Sequence, residues 1–202
     1  LIIHNVDQNT DAWLDVRRGI PTASQASKIL TSTGKLSTSK TGYMHELVAK
    51  HFDAHESWGG NKYTERGHEL EPAAVEAYEF ITGETCDPVG FITTDDGLFG
   101  GSPDRLVGND GGVQIKCCDG KEHVNMLLAD KLPAKHVSQV FTELWVAERK
   151  WWDFFAWHPM LKPLLVRVTV DDPSYKEWIA TWEVELPKFT KKLEAAKLAV
   201  AS

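Results

Sequence analysis

Cysteine is scarce and odd in number. Cys86, Cys117 and Cys118 are the three in 202 residues, two of them adjacent, so neither a disulfide framework nor a CxxC zinc pair can be drawn. A reducing cytoplasm is the expected setting. Long apolar runs are also missing: none approaches the roughly eighteen residues of a spanning helix, which excludes a helical membrane protein. The N-terminal Leu1-Ile2-Ile3-His4-Asn5 has no basic region ahead of an apolar stretch, so no secretory signal is expected, and the missing initiator Met reads as processing or trimming. No Pro-rich or Gly/Ser-rich linker divides the chain, and no repeat at a period of roughly 20 to 50 residues is present. The 42% of hydrophobic residues exceeds what a disordered chain carries. What remains is one globular domain over residues 1–202, with one core or one core and a small appendage.

A net charge of −7 argues at first against a polyanionic partner, because phosphate binding wants Lys and Arg. The charge is unevenly spread. From Arg17 to Lys50 six basic residues face the single acid Glu46, a balance of +5; from His51 to Asp110 three basic residues face thirteen acids, a balance of −10. Such a chain can hold a polyanion on one side and cations on the other, while scattered solvated charge gives the same totals.

The first third reads as helical. A short amphipathic turn starts at Asp11 and stops at Gly19-Ile20-Pro21. Thr22 and Gln25 then fit a capping box ahead of Ala26, Ile29 and Leu30. Residues 31–42 read as an exposed loop, followed by helices near 42–55 and 64–82. The middle changes period: short strands around Asp95-Asp96-Gly97, then Arg105-Leu106-Val107 and Val113–Cys117 as a hairpin. A helix near 134–149, strands at 151–157 and 164–170, and a helix from about 173 to 199 with Pro187 inside complete the chain. Helices before, between and after a small mixed sheet, about 87–170, make an α/β or α+β domain.

The informative stretch is Ser102-Pro103-Asp104, nine intervening residues, then Gln114-Ile115-Lys116. Alternate side chains share a strand face, so Val113, Ile115 and Cys117 are expected in the core and Gln114 and Lys116 together on the other side. The hairpin brings Asp104 toward them, at the edge of the sheet. An Asp and an acid-shaped residue gathered in this way point to oxygen ligands for Mg²⁺, or equally Mn²⁺, which lowers the pKa of a water attacking phosphorus; a lysine beside them orients that water or offsets growing charge. Solvated polar residues on a surface hairpin would give the same string.

Several segments, in order over about residues 13–160, resemble the phage lambda exonuclease (YqaJ-type viral recombinase) family. They are Trp13-x3-Arg17-x-Gly19-x2-Thr22-Ala23-Ser24, Gly67-x3-Glu71, Ser102-Pro103-Asp104, Gln114-x-Lys116 and Gln139-Val140-x4-Trp145-Val146. The resemblance implies a restriction-endonuclease-like α/β core of the PD-(D/E)xK superfamily. It also implies a Mg²⁺-dependent enzyme that digests one strand of linear double-stranded DNA from its 5′ end, as a ring-shaped homotrimer, alongside a single-strand annealing protein in the bacterial cytoplasm. Carried over residue by residue, it makes Asp104, Glu71, the position of Gln114 and the Ile115 carbonyl the metal ligands, Lys116 the active-site lysine and Gln139 a glutamine lining the site. Arg17, Ser24 and Ser102 match the positions that hold the 5′-phosphate. Ser24, in the first turn of the helix expected after Thr22, suits an anion on physical grounds as well, and Arg17 offers a planar clamp.

At 114 the resemblance expects Glu. An amide keeps the shape and loses the charge, so fold and DNA binding should persist while chemistry weakens. Either the chain is an engineered variant made to hold its substrate uncut, the favoured reading, or it is a natural homologue that has lost or relocated the acid; Asp110 and Glu122 are near in sequence but out of register. A non-catalytic DNA-end-binding scaffold is the alternative, and a restriction-type endonuclease has no need of a 5′-phosphate pocket. Lys28, Lys35 and Lys40 are candidates for tracking the DNA backbone. Trp58 and Tyr63 are candidates for a wedge at the duplex end. The late tryptophans (Trp145, Trp151, Trp152, Trp157, Trp178, Trp182) are expected in the core or a subunit interface. His51 and His55 stand at zinc-like spacing without a third ligand, so a surface or packing role is expected.

Overall fold

The computed structural model describes residues 1–54 and 62–201, and side chains outside 55–68. Two sheets carry the architecture. The smaller joins β1 (Ile2–His4), β3 (Phe91–Thr93) and β4 (Gly100–Gly101) in the order β1-β3-β4, all antiparallel. The larger is mixed and runs β2 (Cys86–Asp87), β5 (Arg105–Val107), β6 (Gly111–Lys116), β7 (Trp151–His158), β8 (Leu161–Thr169). Only β6 and β7 are parallel, Gln114 opposite Phe154 and Lys116 opposite Ala156. A parallel pair needs a crossover, and α4 (Gly120–Ala129) with α5 (Ala134–Val146) supplies it.

The sheet is buried on both faces. On one, Val113, Ile115 and Phe155 pack against Ala74 and Tyr78 of α3 (Lys62–Thr82). On the other, Trp152, Phe154 and Ala156 join Val140 and Leu144 of α5 and Trp178, Trp182 and Phe189 of α6 (Pro173–Val200). Trp178 and Trp182 stack at 5.4 Å, and both are buried with Trp152, so these three tryptophans are core residues. α6 continues through Pro187.

The chain opens on a strand rather than a helix. α1 (Asp11–Val16) follows, its first turn capped by Thr10, whose hydroxyl accepts from the Trp13 N–H. The capping box expected at Thr22 does not form: residues Ala23–Lys28 make a 3-10 helix without a side-chain cap, and Thr22 instead bridges to Gly100 in the small sheet. Tertiary pairing of Thr22 has overridden its local preference. α2 (Lys40–His51) starts two residues earlier than the sequence suggests. α4 was not expected from the sequence; Asp119 caps it by accepting from the Glu122 N–H. Among the described residues no helix is long and apolar enough to cross a membrane, and all three cysteines are free.

Candidate active site

β6 is the centre strand of the large sheet, not an edge, and Gln114 is 1% exposed beneath α5. The expected alternation holds: Val113 and Ile115 face α3 while Gln114 faces α5. What the hairpin pattern lacked was the covering helix, so the site lies inside the fold.

Asp104, just before β5, reaches across to β6. Its Oδ2 accepts from the Ile115 backbone N–H at 2.6 Å and from the Gln114 side-chain amide. The same amide nitrogen is 3.5 Å from the Ile115 carbonyl oxygen. Gln114 Oε1 accepts from Gln139 Nε2 at 2.6 Å, and that nitrogen also donates to Glu143 Oε1 at 2.9 Å. Burial pushes the Asp104 carboxyl above its ordinary range; the nearby Lys116 ammonium and the Ile115 N–H oppose the rise, and Glu71 adds to it. Lys116 makes no hydrogen bond or ion pair among the described residues.

Glu71, on α3, accepts from Arg105 Nη1 at 2.8 Å, and the same guanidinium nitrogen donates to the Asp104 carbonyl. Arg105 thereby ties the helix-borne acid to the loop that carries Asp104. Glu143 was missed in the sequence, where it reads as one more polar residue on an amphipathic helix. It is 1% exposed, and burial next to Asp104 raises its pKa to about 8 against the opposing pull of the Gln139 amide, the Lys116 ammonium and the Trp152 indole N–H. Of the two acids weighed from sequence position, Asp110 pairs with Lys150 in a surface turn and Glu122 with Lys135.

The oxygens here suit a hard divalent cation in kind, with Asp104 Oδ2 and the Ile115 carbonyl facing one point and Glu71 within electrostatic reach. The Gln114 amide nitrogen takes that point. Among the described residues no three His, Cys, Asp or Glu converge as a metal cluster.

A second constellation forms around Trp13. Its indole N–H donates to Ser102 Oγ at 2.9 Å, and the Arg17 guanidinium lies 3.8 Å above its ring. Desolvation lowers the Arg17 pKa, and no acid pairs with it among the described residues. Arg17 and Ser24 line a cavity of about 400 Å³ with Thr22, Tyr43 and Lys50. Ser24 lies within the six-residue 3-10 helix, so its placement owes more to the pairing of Thr22 with Gly100 than to a helix dipole. Gly19 explains itself: φ is +67° and an added Cβ would sit 2.7 Å from the Cβ of His51. His51 is an exposed surface residue whose Cβ and backbone lie against Gly19; His55 and Trp58 lie outside the described residues, as does the side chain of Tyr63.

Of the three candidate DNA-tracking lysines, Lys28 pairs with Glu46 at 2.8 Å and Lys40 with Glu185 at 3.5 Å; Lys35 is exposed on its loop.

These two constellations on a mixed sheet define a restriction-endonuclease-like nuclease fold. A model of the YqaJ-like viral recombinase domain matches residues 12–150, and the chain belongs to that family. Its structure superimposes on an alkaline exonuclease, LHK-Exo from Laribacter hongkongensis, with a TM-score of 0.83 and 30% identity over 95% of this chain and 96% of that one. The same enzyme in complex with dAMP matches equally well. A phage-related exonuclease from Haemophilus somnus 129PT shares the fold at a TM-score of 0.61 and 16% identity, over 91% of this chain and 98% of that one. No curated protein matches the sequence.

Proposed function

We propose that this chain is a divalent-metal-dependent exonuclease that degrades one strand of linear double-stranded DNA in the 5′→3′ direction for single-strand-annealing recombination, with its chemistry weakened by Gln114. The observation that carries the reading is the junction of Asp104 with Gln114 and Ile115, with Lys116 next along the same strand. Asp104, Glu71, the Ile115 carbonyl and the oxygen of Gln114 would hold Mg²⁺ or Mn²⁺. Bound there, the cation would activate water and offset charge at the scissile phosphate. Lys116, which makes no hydrogen bond or ion pair among the described residues, steadies charge growing on the phosphate oxygens. Gln139 lines the site and holds Gln114 in place. Arg17, Ser24 and Ser102 take the 5′-phosphate, the planar guanidinium giving paired hydrogen bonds to it; Lys28, Lys35 and Lys40 follow the backbone beyond. A product nucleoside 5′-monophosphate agrees with the dAMP bound by LHK-Exo.

A homotrimeric ring, an annealing-protein partner and a place in the cytoplasm of a bacterial host complete the reading; the unpaired cysteines agree with a reducing compartment. The alternative is a DNA-end-binding recombination scaffold, favoured by the Gln114 amide nitrogen at the point where a cation would sit. Digestion of linear duplex with and without a 5′-phosphate in Mg²⁺, by this chain and by Gln114→Glu, separates the two. The exonuclease reading expects Gln114→Glu to degrade the phosphorylated end much faster than this chain. Stable end binding with no cutting by either protein would establish the scaffold.

A further inference from the structure

Two acids that are to share one cation approach it from different sides of the sheet. Asp104 meets Gln114, which faces α5, whereas Glu71 comes from α3 on the other side. Their charges repel: Glu71 adds to the rise that burial gives the Asp104 carboxyl, while Lys116 and Arg105 oppose it. Bringing both acids to one point before an ion arrives therefore needs a group that holds them there.

Arg105 stands at that seam. It opens β5 opposite Val113, on the sheet face that it shares with Val107 and that packs on α3. One of its nitrogens, Nη1, donates both to Glu71 Oε1 at 2.8 Å and to the Asp104 backbone carbonyl. The carbonyl just before, that of Pro103, accepts from Gln8 Nε2 at 2.9 Å. Two successive carbonyls of the loop are thus each held by a side chain, and one of those side chains also carries an acid. A carboxylate has about four acceptor positions, so a bond from Arg105 does not exclude a cation. Glu71, Arg105 and Gln8 also border one open cleft, through which an ion can reach the pair.

We propose that Arg105 is a positioning residue: its guanidinium holds the Glu71 carboxylate against the backbone of Asp104, so that acids from the two sides of the sheet meet at one divalent cation. The inference rests on the metal-dependent reading above and adds the group that assembles its site. It has a sign that charge alone would not give. A bare positive charge beside a cation site weakens binding, so a loss of affinity when Arg105 is removed reports the placing of Glu71.

The test is Mn²⁺ binding by titration calorimetry without DNA, in the Gln114→Glu background, with melting curves to show that each protein is folded. Arg105→Met removes the guanidinium and keeps much of the side chain's bulk. It is expected to weaken Mn²⁺ binding on the order of 10-fold, the low end of what losing a ligand's hydrogen-bond partner costs. With Glu71→Gln also present, the same change should weaken binding little or not at all. Arg105→Lys restores a charged donor and should recover most of the affinity. Arg105→Gln, neutral and polar, should lose as much as Arg105→Met and replaces it if that protein does not fold. Equal or tighter binding by the neutral variants, no recovery in Arg105→Lys, or an equal loss beside Glu71→Gln overturns the inference. Where Glu71→Gln binds too weakly to compare, the Arg105→Lys result decides. If Gln114→Glu itself neither binds Mn²⁺ nor digests duplex, the metal-dependent reading fails first and this inference falls with it; if it does both and Arg105→Met binds equally well, only this inference fails.

Discussion

The Trp13 indole donates its N–H to the Ser102 hydroxyl at 2.9 Å while carrying the Arg17 guanidinium 3.8 Å above its ring. One side chain therefore orients two of the three groups proposed to hold a 5′-phosphate. Because Ser102 accepts from Trp13, its own hydroxyl hydrogen is left to donate to an anion. Arg17, stacked face-on, keeps the edge of its guanidinium for the same anion, and the stacking contributes about 0.5–2 kcal/mol to its placement.

Trp13→Phe keeps a ring beneath Arg17 and removes the bond to Ser102. Its preference for a 5′-phosphorylated over a 5′-hydroxyl duplex end should fall by roughly 3- to 10-fold, the loss of one hydrogen bond. Arg17→Ala should lose more, on the order of 10- to 100-fold, because a charge-assisted pair goes with it. Equilibrium binding of the two duplex ends without divalent metal measures both. Parent-like selectivity in Trp13→Phe would show that Ser102 is oriented by something else.

Burial of Glu143 has a consequence for stability against pH. Its folded pKa of about 8 lies above the ordinary 4.5, so the folded state holds a proton that the unfolded chain releases between those values. Stability from this group is full below about pH 4.5 and is lost as pH rises through 8, at most about 4–5 kcal/mol. His136 acts the other way: burial lowers its pKa to about 3, so its contribution is present above 6.5 and disappears as pH falls toward 3. The two windows overlap below 6.5 and separate above it. Thermal unfolding of this chain should therefore move to lower temperature between pH 6.5 and 8, and Glu143→Gln should flatten that limb. An unchanged limb in Glu143→Gln would assign it to another group.

Much of this was legible in the sequence where local pattern and tertiary demand agree. The alternation Val113, Ile115 against Gln114, Lys116 placed each residue of β6 on its observed face, and the Gly19 turn stopped α1 near its observed end. The sequence misleads where a distant partner decides. Thr22 carries a capping pattern yet pairs with Gly100, which leaves a 3-10 helix behind it. β6 carries polar residues on one face, the mark of a solvated strand, yet α5 covers that face; only Gln139 and Glu143, one turn apart on α5, hint at a polar partner below. Glu143 itself was unreadable, because a glutamate on a helix is ordinary until the helix is known to be buried.

The last prediction concerns the other face of the sheet. Asp153, fully buried on β7, accepts from the Tyr78 hydroxyl at 2.7 Å and from Arg167 through two bonds of 2.8 Å, while Arg167 stacks 3.7 Å above Trp151. Tyr78 lies on α3 seven residues after Glu71, two turns on and so along the same face. The network thus pins the helix that presents Glu71. Tyr78→Phe deletes one bond to a charged group and should cost about 1.5–3 kcal/mol. Asp153→Ala leaves the buried Tyr78 hydroxyl without its partner, while the half-exposed Arg167 can turn to water, and should cost about 1–3 kcal/mol. Neither should change the preference for a 5′-phosphate, because Arg17, Ser24 and Ser102 belong to other elements. Denaturant unfolding read beside end binding tests this: stability should fall while selectivity stays. A joint loss in a folded Tyr78→Phe protein would mean that the two faces of the sheet are coupled.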